Sequence, residues 1–368
     1  MLNDLPVIDA VVHAFNFTGA NFRNQYGSVF ADRITRASML GPEGFVLDGH
    51  DEYRRNWSID DAARVAFAES QTDLAAYHVL PIMAFRDGAC SIEKAVRAKQ
   101  KWPHRFAFYI GVDAMSGAAA LDEMDRQFDM LEGDAVGVKL YPNSWLADEI
   151  TGWKMDNPEI AFPIFEKARK MGLKAVAIHK ALPLGQVELD HYRVDDIDRA
   201  AIEFPELNFE IVHGGMAFVE ETMFQIRRFP NVYVNLESTS SLLTIRPAQW
   251  ERVMAQFMQS DGMRKKILWG TGGLMVIHPR AGLEAFQRFR FRQETIEGEG
   301  IAQISDDDRR DMLANNFVRM TGIDMAARLA ACENDEFSQA RRQAGGMLPP
   351  FSTAPTASSP QDPAVVKA

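Results

Sequence analysis

The chain has 368 residues, 46% hydrophobic and 25% charged, with 25 Gly and 17 Pro, a composition that excludes collagen, coiled coil and disorder throughout. Its 40 Lys and Arg against 51 Asp and Glu leave a net charge of −11, which argues against nucleic acid or anionic membrane as partner and for a small molecule. Two distant cysteines, Cys90 and Cys332, stand in no CxxC spacing, so no disulfide framework is encoded and a cytoplasmic setting is expected. No run approaches the ~20 apolar residues of a membrane helix.

In chain order, apolar and β-branched runs predict eight strands at 6–13, 79–85, 105–113, 135–142, 174–179, 208–213, 231–237 and 266–272. Amphipathic stretches predict helices at 58–77, 118–131, 158–171, 194–204, 217–229 and 247–263. Ser58 and the Asn157-Pro158 pair carry the chemistry of helix starts. Near-continuous apolar strands that each return through a helix need cover on their outer face, which predicts a (β/α)8 TIM barrel as a single domain over residues 1–324. An open doubly wound sheet would place a glycine-rich turn after the first strand, where His13-Ala14-Phe15-Asn16-Phe17 stands instead. Residues 16–57 read as a long irregular first loop carrying Arg23, Arg33, Arg36, His50 and Arg54, and residues 325–368 as a C-terminal extension or disordered tail.

Barrel enzymes build their sites at the C-terminal ends of the strands. His13, His179 and His213 end strands one, five and six, Lys139 lies in strand four and Glu237 ends strand seven, in a chain with eight histidines. Each histidine alone reads as a hydrogen-bonded core residue. At equivalent positions on three strands they read as nitrogen ligands converging on one ion. Lys139 reads as the partner of a carboxylate or as a metal-binding carbamate, and Glu237 as its salt-bridge partner or as a ligand.

These residues carry a resemblance. Ile8-Asp9-Ala10-Val11-Val12-His13 resembles the first strand of the amidohydrolase superfamily, in its amidohydrolase-related (family 2) branch of hydrolases, lactonases and decarboxylases. Gly137-Val138-Lys139-Leu140-Tyr141-Pro142, Ile178-His179, Val212-His213-Gly214-Gly215, Leu268-Trp269-Gly270-Thr271-Gly272 and the closing helix from Met312 to Ile323 are similar to its later elements. The family's His-x-His pair is here Val11 and His13, and its strand-eight aspartate, metal ligand and base for the attacking water, is here Gly272. The resemblance implies one remaining metal site on His13, Lys139, His179 and His213, holding a single Fe, Mn or Zn. Glu237 or His278 would replace the missing base.

Three readings follow. The chain resembles subunits of the two-component 2-aminoisobutyrate hydroxylase type, which implies a non-heme iron monooxygenase working beside a paralogous barrel subunit on a small amino or carboxylic acid. A stand-alone mononuclear hydrolase or decarboxylase, with first-loop arginines clamping a carboxylate substrate, is the second. A metal-free scaffold is the third.

Overall fold

A computed structural model describes residues 2, 5–147 and 149–352. Eight parallel strands follow one another around a single sheet: β1 (Ile8–Val12), β2 (Leu74–His78), β3 (Phe106–Gly111), β4 (Gly137–Leu140), β5 (Ala175–His179), β6 (Asn208–Val212), β7 (Val232–Asn235) and β8 (Ile267–Leu268). Between β8 and β1 the ring is closed by Ala10 N–H donating to Trp269 O (2.9 Å) and Gly272 N–H to Val11 O (3.0 Å). The Asp9 carboxylate completes this seam by accepting from Thr271 N–H (3.0 Å) and the Thr271 hydroxyl. The chain is therefore a single-domain (β/α)8 barrel.

The helices around it are α1 (Gln25–Ser38), α2 (Ile59–Phe67), α3 (Ile92–Lys101), α4 (Ala118–Met130), α5 (Ala161–Lys170), α6 (Ile197–Glu203), α7 (Val219–Arg228), α8 (Pro247–Phe257) and α9 (Pro279–Arg288). Ser58 and Asp61 form a reciprocal cap on α2, and Asn157 Oδ1 accepts from Glu159 and Ile160 N–H ahead of α5, as their sequence signals require. Among the described residues no helix is long and apolar enough to cross a membrane.

Two elements differ from the sequence expectation. The second strand is Leu74–His78, whereas the apolar run at 79–85 forms a buried connecting loop tied by bridges from Leu80 to Cys90 and from Phe85 to Phe22. Pro81 supplies no N–H for a ladder there. Leu74-Ala75-Ala76-Tyr77 carries alanines that favour helix, yet tertiary pairing with β1 and β3 makes it strand. The loop at 16–57 contains the fourteen-residue α1, capped by the Asn24 side chain on Tyr26 N–H. Gly27 lets α1 lie against the Ala84 carbonyl, since a Cβ there would come within 2.8 Å of that oxygen.

Residues 325–343 form two helices, Met325–Cys332 and Glu336–Gln343, packed on the barrel. Arg105 grips Asp335 through Nε (2.6 Å) and Nη2 (2.8 Å). The chain then passes back to α2, where buried Glu69 accepts from Phe351 N–H (2.7 Å), Ser352 N–H (3.0 Å) and Ser352 Oγ (2.6 Å). The expected tail beyond that point, 353–368, lies outside the described residues.

Candidate active site

Strand alternation decides which side chains enter the barrel. Ala76 and His78 of β2, Ala107 and Tyr109 of β3, Ala175 and Ala177 of β5 and Val212 of β6 face the interior together, and most are small. Ladder register sets Lys139 beside Gly111 and Ala177, and His179 beside Val212, so the same face carries Lys139 and His179 upward to the C-terminal rim. Beneath them lies a buried polar floor, in which Tyr109 OH donates to Glu210 Oε1 and Asn235 Nδ2 to Glu210 Oε2 (3.0 Å). His78 stacks on Tyr109 at 4.0 Å and its Nε2–H donates to Ala10 O (2.9 Å).

Immediately past β6 and β7 the backbone bends through left-handed conformations at His213 (φ 68°) and Ser238 (φ 59°). Such bends cost about 1–3 kcal/mol in non-glycine residues and persist only where the surroundings impose them. His213 there lies against His179, and Glu237 against His213. His179 Nε2 faces Leu182 O at 2.7 Å, and a carbonyl only accepts, so that nitrogen bears the hydrogen. His213 Nδ1 contacts the Glu237 carboxylate and the Glu237 carbonyl (3.2 Å), again acceptors only. The inner nitrogens, His179 Nδ1 and His213 Nε2, then confront each other at 2.7 Å with two lone pairs.

Two lone pairs at that distance repel unless a cation lies between them. A proton fits the space as it stands and makes the pair one imidazolium, neutralised by Glu237. A metal ion fits the same donor set, because each imidazole already has the outer hydrogen-bond partner that a ligating histidine needs. Tetrahedral zinc would hold two ligand nitrogens about 3.3 Å apart, so the rings must part slightly to admit it. Among the described residues no ready-made cluster of three His, Cys, Asp or Glu is present. A further nitrogen, His13 Nδ1, is buried without any hydrogen-bond partner.

Electrostatics distinguish the roles. Burial would raise the Glu237 carboxyl, but the charges of His213, His13 and Lys139 and the His213 hydrogen bond overcome it and hold the group at about 2. Burial lowers Lys139 to about 8 against the pull of Glu237 and Glu210, and its ammonium lies 5.2 Å over the Tyr141 ring. Burial likewise lowers His13 to about 3, and burial with the charges of His213 and Lys139 keeps His179 neutral. The strand-five end is fixed by the buried Lys180–Asp196 pair (2.6 Å) directly after His179.

Of the residues marked in the sequence, His13, Lys139, His179, His213 and Glu237 are thus brought to one mouth. His278 is not. Its Nδ1 accepts from Arg280 N–H as the cap of α9 (3.3 Å), its Nε2 meets Glu69 Oε2 (3.3 Å), and its ring lies against Phe45 and Phe351. His78, Glu210 and Asn235 escaped the sequence reading; for His78 the signal was alternation with Leu74 and Ala76, hidden by the misplaced strand.

A (β/α)8 barrel with histidines, a lysine and a carboxylate at the C-terminal rim defines a class of enzyme-like barrels, and the comparisons narrow it. The amidohydrolase family model matches residues 36–322. The chain belongs to the amidohydrolase family; β1, with Asp9, and His13 directly after it precede the matched segment. No curated protein matches the chain. Among solved structures, an uncharacterized TIM-barrel protein from Bordetella bronchiseptica is similar at 18% identity over 89% of this chain and 100% of that one, with a TM-score of 0.61. A 2,6-dihydroxybenzoate decarboxylase from Rhizobium is similar at 15% identity over 86% of this chain and 99% of its own, TM-score 0.53. A 2,6-dihydroxybenzoate decarboxylase complexed with 2,6-dihydroxybenzoate gives 15% identity over 86% and 99%, TM-score 0.51. At these identities the likeness is one of fold.

Proposed function

We propose that the chain is a mononuclear metal-dependent lyase or hydrolase acting on a small organic carboxylate, with decarboxylation the favoured reaction. The observation that carries this reading is the pair of inner nitrogens, His179 Nδ1 and His213 Nε2, converging at 2.7 Å with Glu237 behind them. A divalent ion bound there would act as Lewis acid toward the substrate's oxygens.

The remaining roles belong to the chain's own groups. Hydrolysis needs a base for water, and Glu237, held at about 2, is a poor one. Its fixed negative charge instead accepts the His213 Nδ1 hydrogen and orients that ring. When a carboxylate leaves as CO2, the electron pair stays on carbon and must be protonated; with the inner nitrogens on the metal, the Lys139 ammonium, held at about 8, is the group at this mouth that can supply that proton and regain it from water. Lys139, with its ammonium at the same mouth, attracts the carboxylate. The fold likeness to two decarboxylase structures supports the same choice.

Metal analysis of the purified protein, joined to a CO2-release assay over a panel of small carboxylates, tests the proposal. Stoichiometric metal lost in His213→Ala, with turnover lost in parallel, is the expected result; a full-length wild-type protein that takes up neither Mn nor Zn overturns it. The hydroxylase-subunit reading uses the same histidines, and oxygen uptake measured in that assay separates the two.

A further inference from the structure

The loop that follows β8 lies along the mouth. The Glu237 carboxylate and the Val276 side chain crowd the same space in front of Gly272. Gly273, at φ 72°, runs so close to the first strand end that a Cβ there would lie 3.3 Å from the His13 backbone nitrogen. Leu274, Met275 and Ile277 are buried. One loop thus touches the carboxylate behind His213 and the backbone of His13 at once.

Its far end is His278, and that end is fastened. His278 Nδ1 accepts from Arg280 N–H (3.3 Å), so Nε2 bears the hydrogen and donates it to Glu69 Oε2 (3.3 Å), with both side chains fully buried. The imidazole lies against two rings, Phe45 of the first loop at 5.5 Å and Phe351 at 5.2 Å. The other donors to Glu69 are Phe351 N–H (2.7 Å), Ser352 N–H (3.0 Å) and Ser352 Oγ (2.6 Å). A buried carboxylate costs several kcal/mol unless donors surround it, so where those donors stand decides how Glu69 is oriented. All three belong to the C-terminal segment, in which Phe351 keeps a left-handed φ of 52°.

We propose that Glu69 is a positioning residue of the active site: oriented by the C-terminal segment, it holds His278 and so keeps the loop after β8 against Glu237 and His13. Phe351 and Ser352 are then a latch on the mouth, and its release loosens the wall beside the metal-binding pair. The latch itself stands on the contacts above, and the proposal rests on the metal reading only for what the loop positions.

Hydrogen exchange of the amides at 270–278 and calorimetric titration with Zn2+, both on the full-length protein, test this. Glu69→Gln is expected to speed exchange in that loop about tenfold and to weaken Zn2+ binding about tenfold. Phe351→Pro, which removes one donor and cannot take a positive φ, should do the same. Two substitutions of His278 separate the latch from a merely structural role. His278→Gln retains a donor for Glu69 and should keep tight binding, whereas His278→Asn retains the cap on Arg280 N–H and should lose it. The opposite order, faster exchange with Zn2+ affinity unchanged, or loop exchange unaltered in both Glu69→Gln and Phe351→Pro overturns the proposal. If the wild type takes up no Zn2+, the metal reading falls while loop exchange still decides the latch, and if Glu69→Gln does not fold, the His278 pair decides it.

Discussion

The carboxylate of Glu237 occupies the space in front of Gly272: a Cβ on Gly272 would overlap Glu237 Oε1 and press on Val276 Cγ2 at 2.9 Å. Gly272 also sits at φ 80°, where an L side chain is strained. The position at which the family resemblance places an aspartate thus has no room for one, and a carboxylate from the neighbouring strand end stands there instead.

Restoring the aspartate is accordingly expected to fail alone. Gly272→Asp should lower stability by about 1–3 kcal/mol and gain no metal affinity. Combining it with Glu237→Ala, which empties the space, should recover much of the metal binding lost in Glu237→Ala itself. Thermal melts and zinc titrations of the three variants check this ordering.

Metal and proton compete for the gap between His179 and His213. Titration of the metal-stripped protein with Zn2+ or Mn2+ should release about one proton per ion from the pair, with affinity rising as pH rises. Loss of either ring should weaken binding severely, and chelation should abolish turnover reversibly. Proton release measured in two buffers of different ionisation enthalpy gives the count.

Glu237 predicts an acid limb. Its native value of about 2 lies below the ordinary 4.5, so the unfolded chain binds more protons between these values and stability falls as pH drops through them. The contribution is fully present above about pH 5. Glu237→Gln should flatten the fall between pH 5 and 2 and reduce turnover at least a hundredfold, as read from melting curves and rates across pH.

Lys139 predicts a second rise, at alkaline pH. Its native value of about 8 lies below the usual 10.5, so the unfolded chain holds the extra proton and stability rises between pH 8 and 10.5 in the wild type. Lys139→Met removes a buried charge, and should raise stability at neutral pH by roughly 1–3 kcal/mol while abolishing activity. Denaturant melts at pH 7 and 10 check both.

Much of this was legible in the sequence. Seven of the strands announced themselves as apolar runs with polar residues at their ends, and five residues of the mouth could be named because strand ends are where barrels place chemistry. What stayed hidden was set by tertiary contact. β2 is alanine-rich and reads as helix until its neighbours pair with it, and α1, interrupted by Gly27, reads as loop until Ala84 O lies against it. His278 stands just past strand eight in the sequence, yet the loop carries it to Glu69. The exchange of carboxylates between Glu237 and Gly272 is a relationship between two strands, which no single stretch of sequence displays.

The knot at Glu69 bears on how the molecule is made. Its buried carboxylate takes three hydrogen bonds from Phe351 and Ser352, 282 and 283 residues downstream. During synthesis the Glu69 carboxylate therefore lacks these three donors until the segment at Phe351 and Ser352 has been made. A chain stopped at Gly346 should mature slowly and aggregate readily even though every strand of the barrel is present.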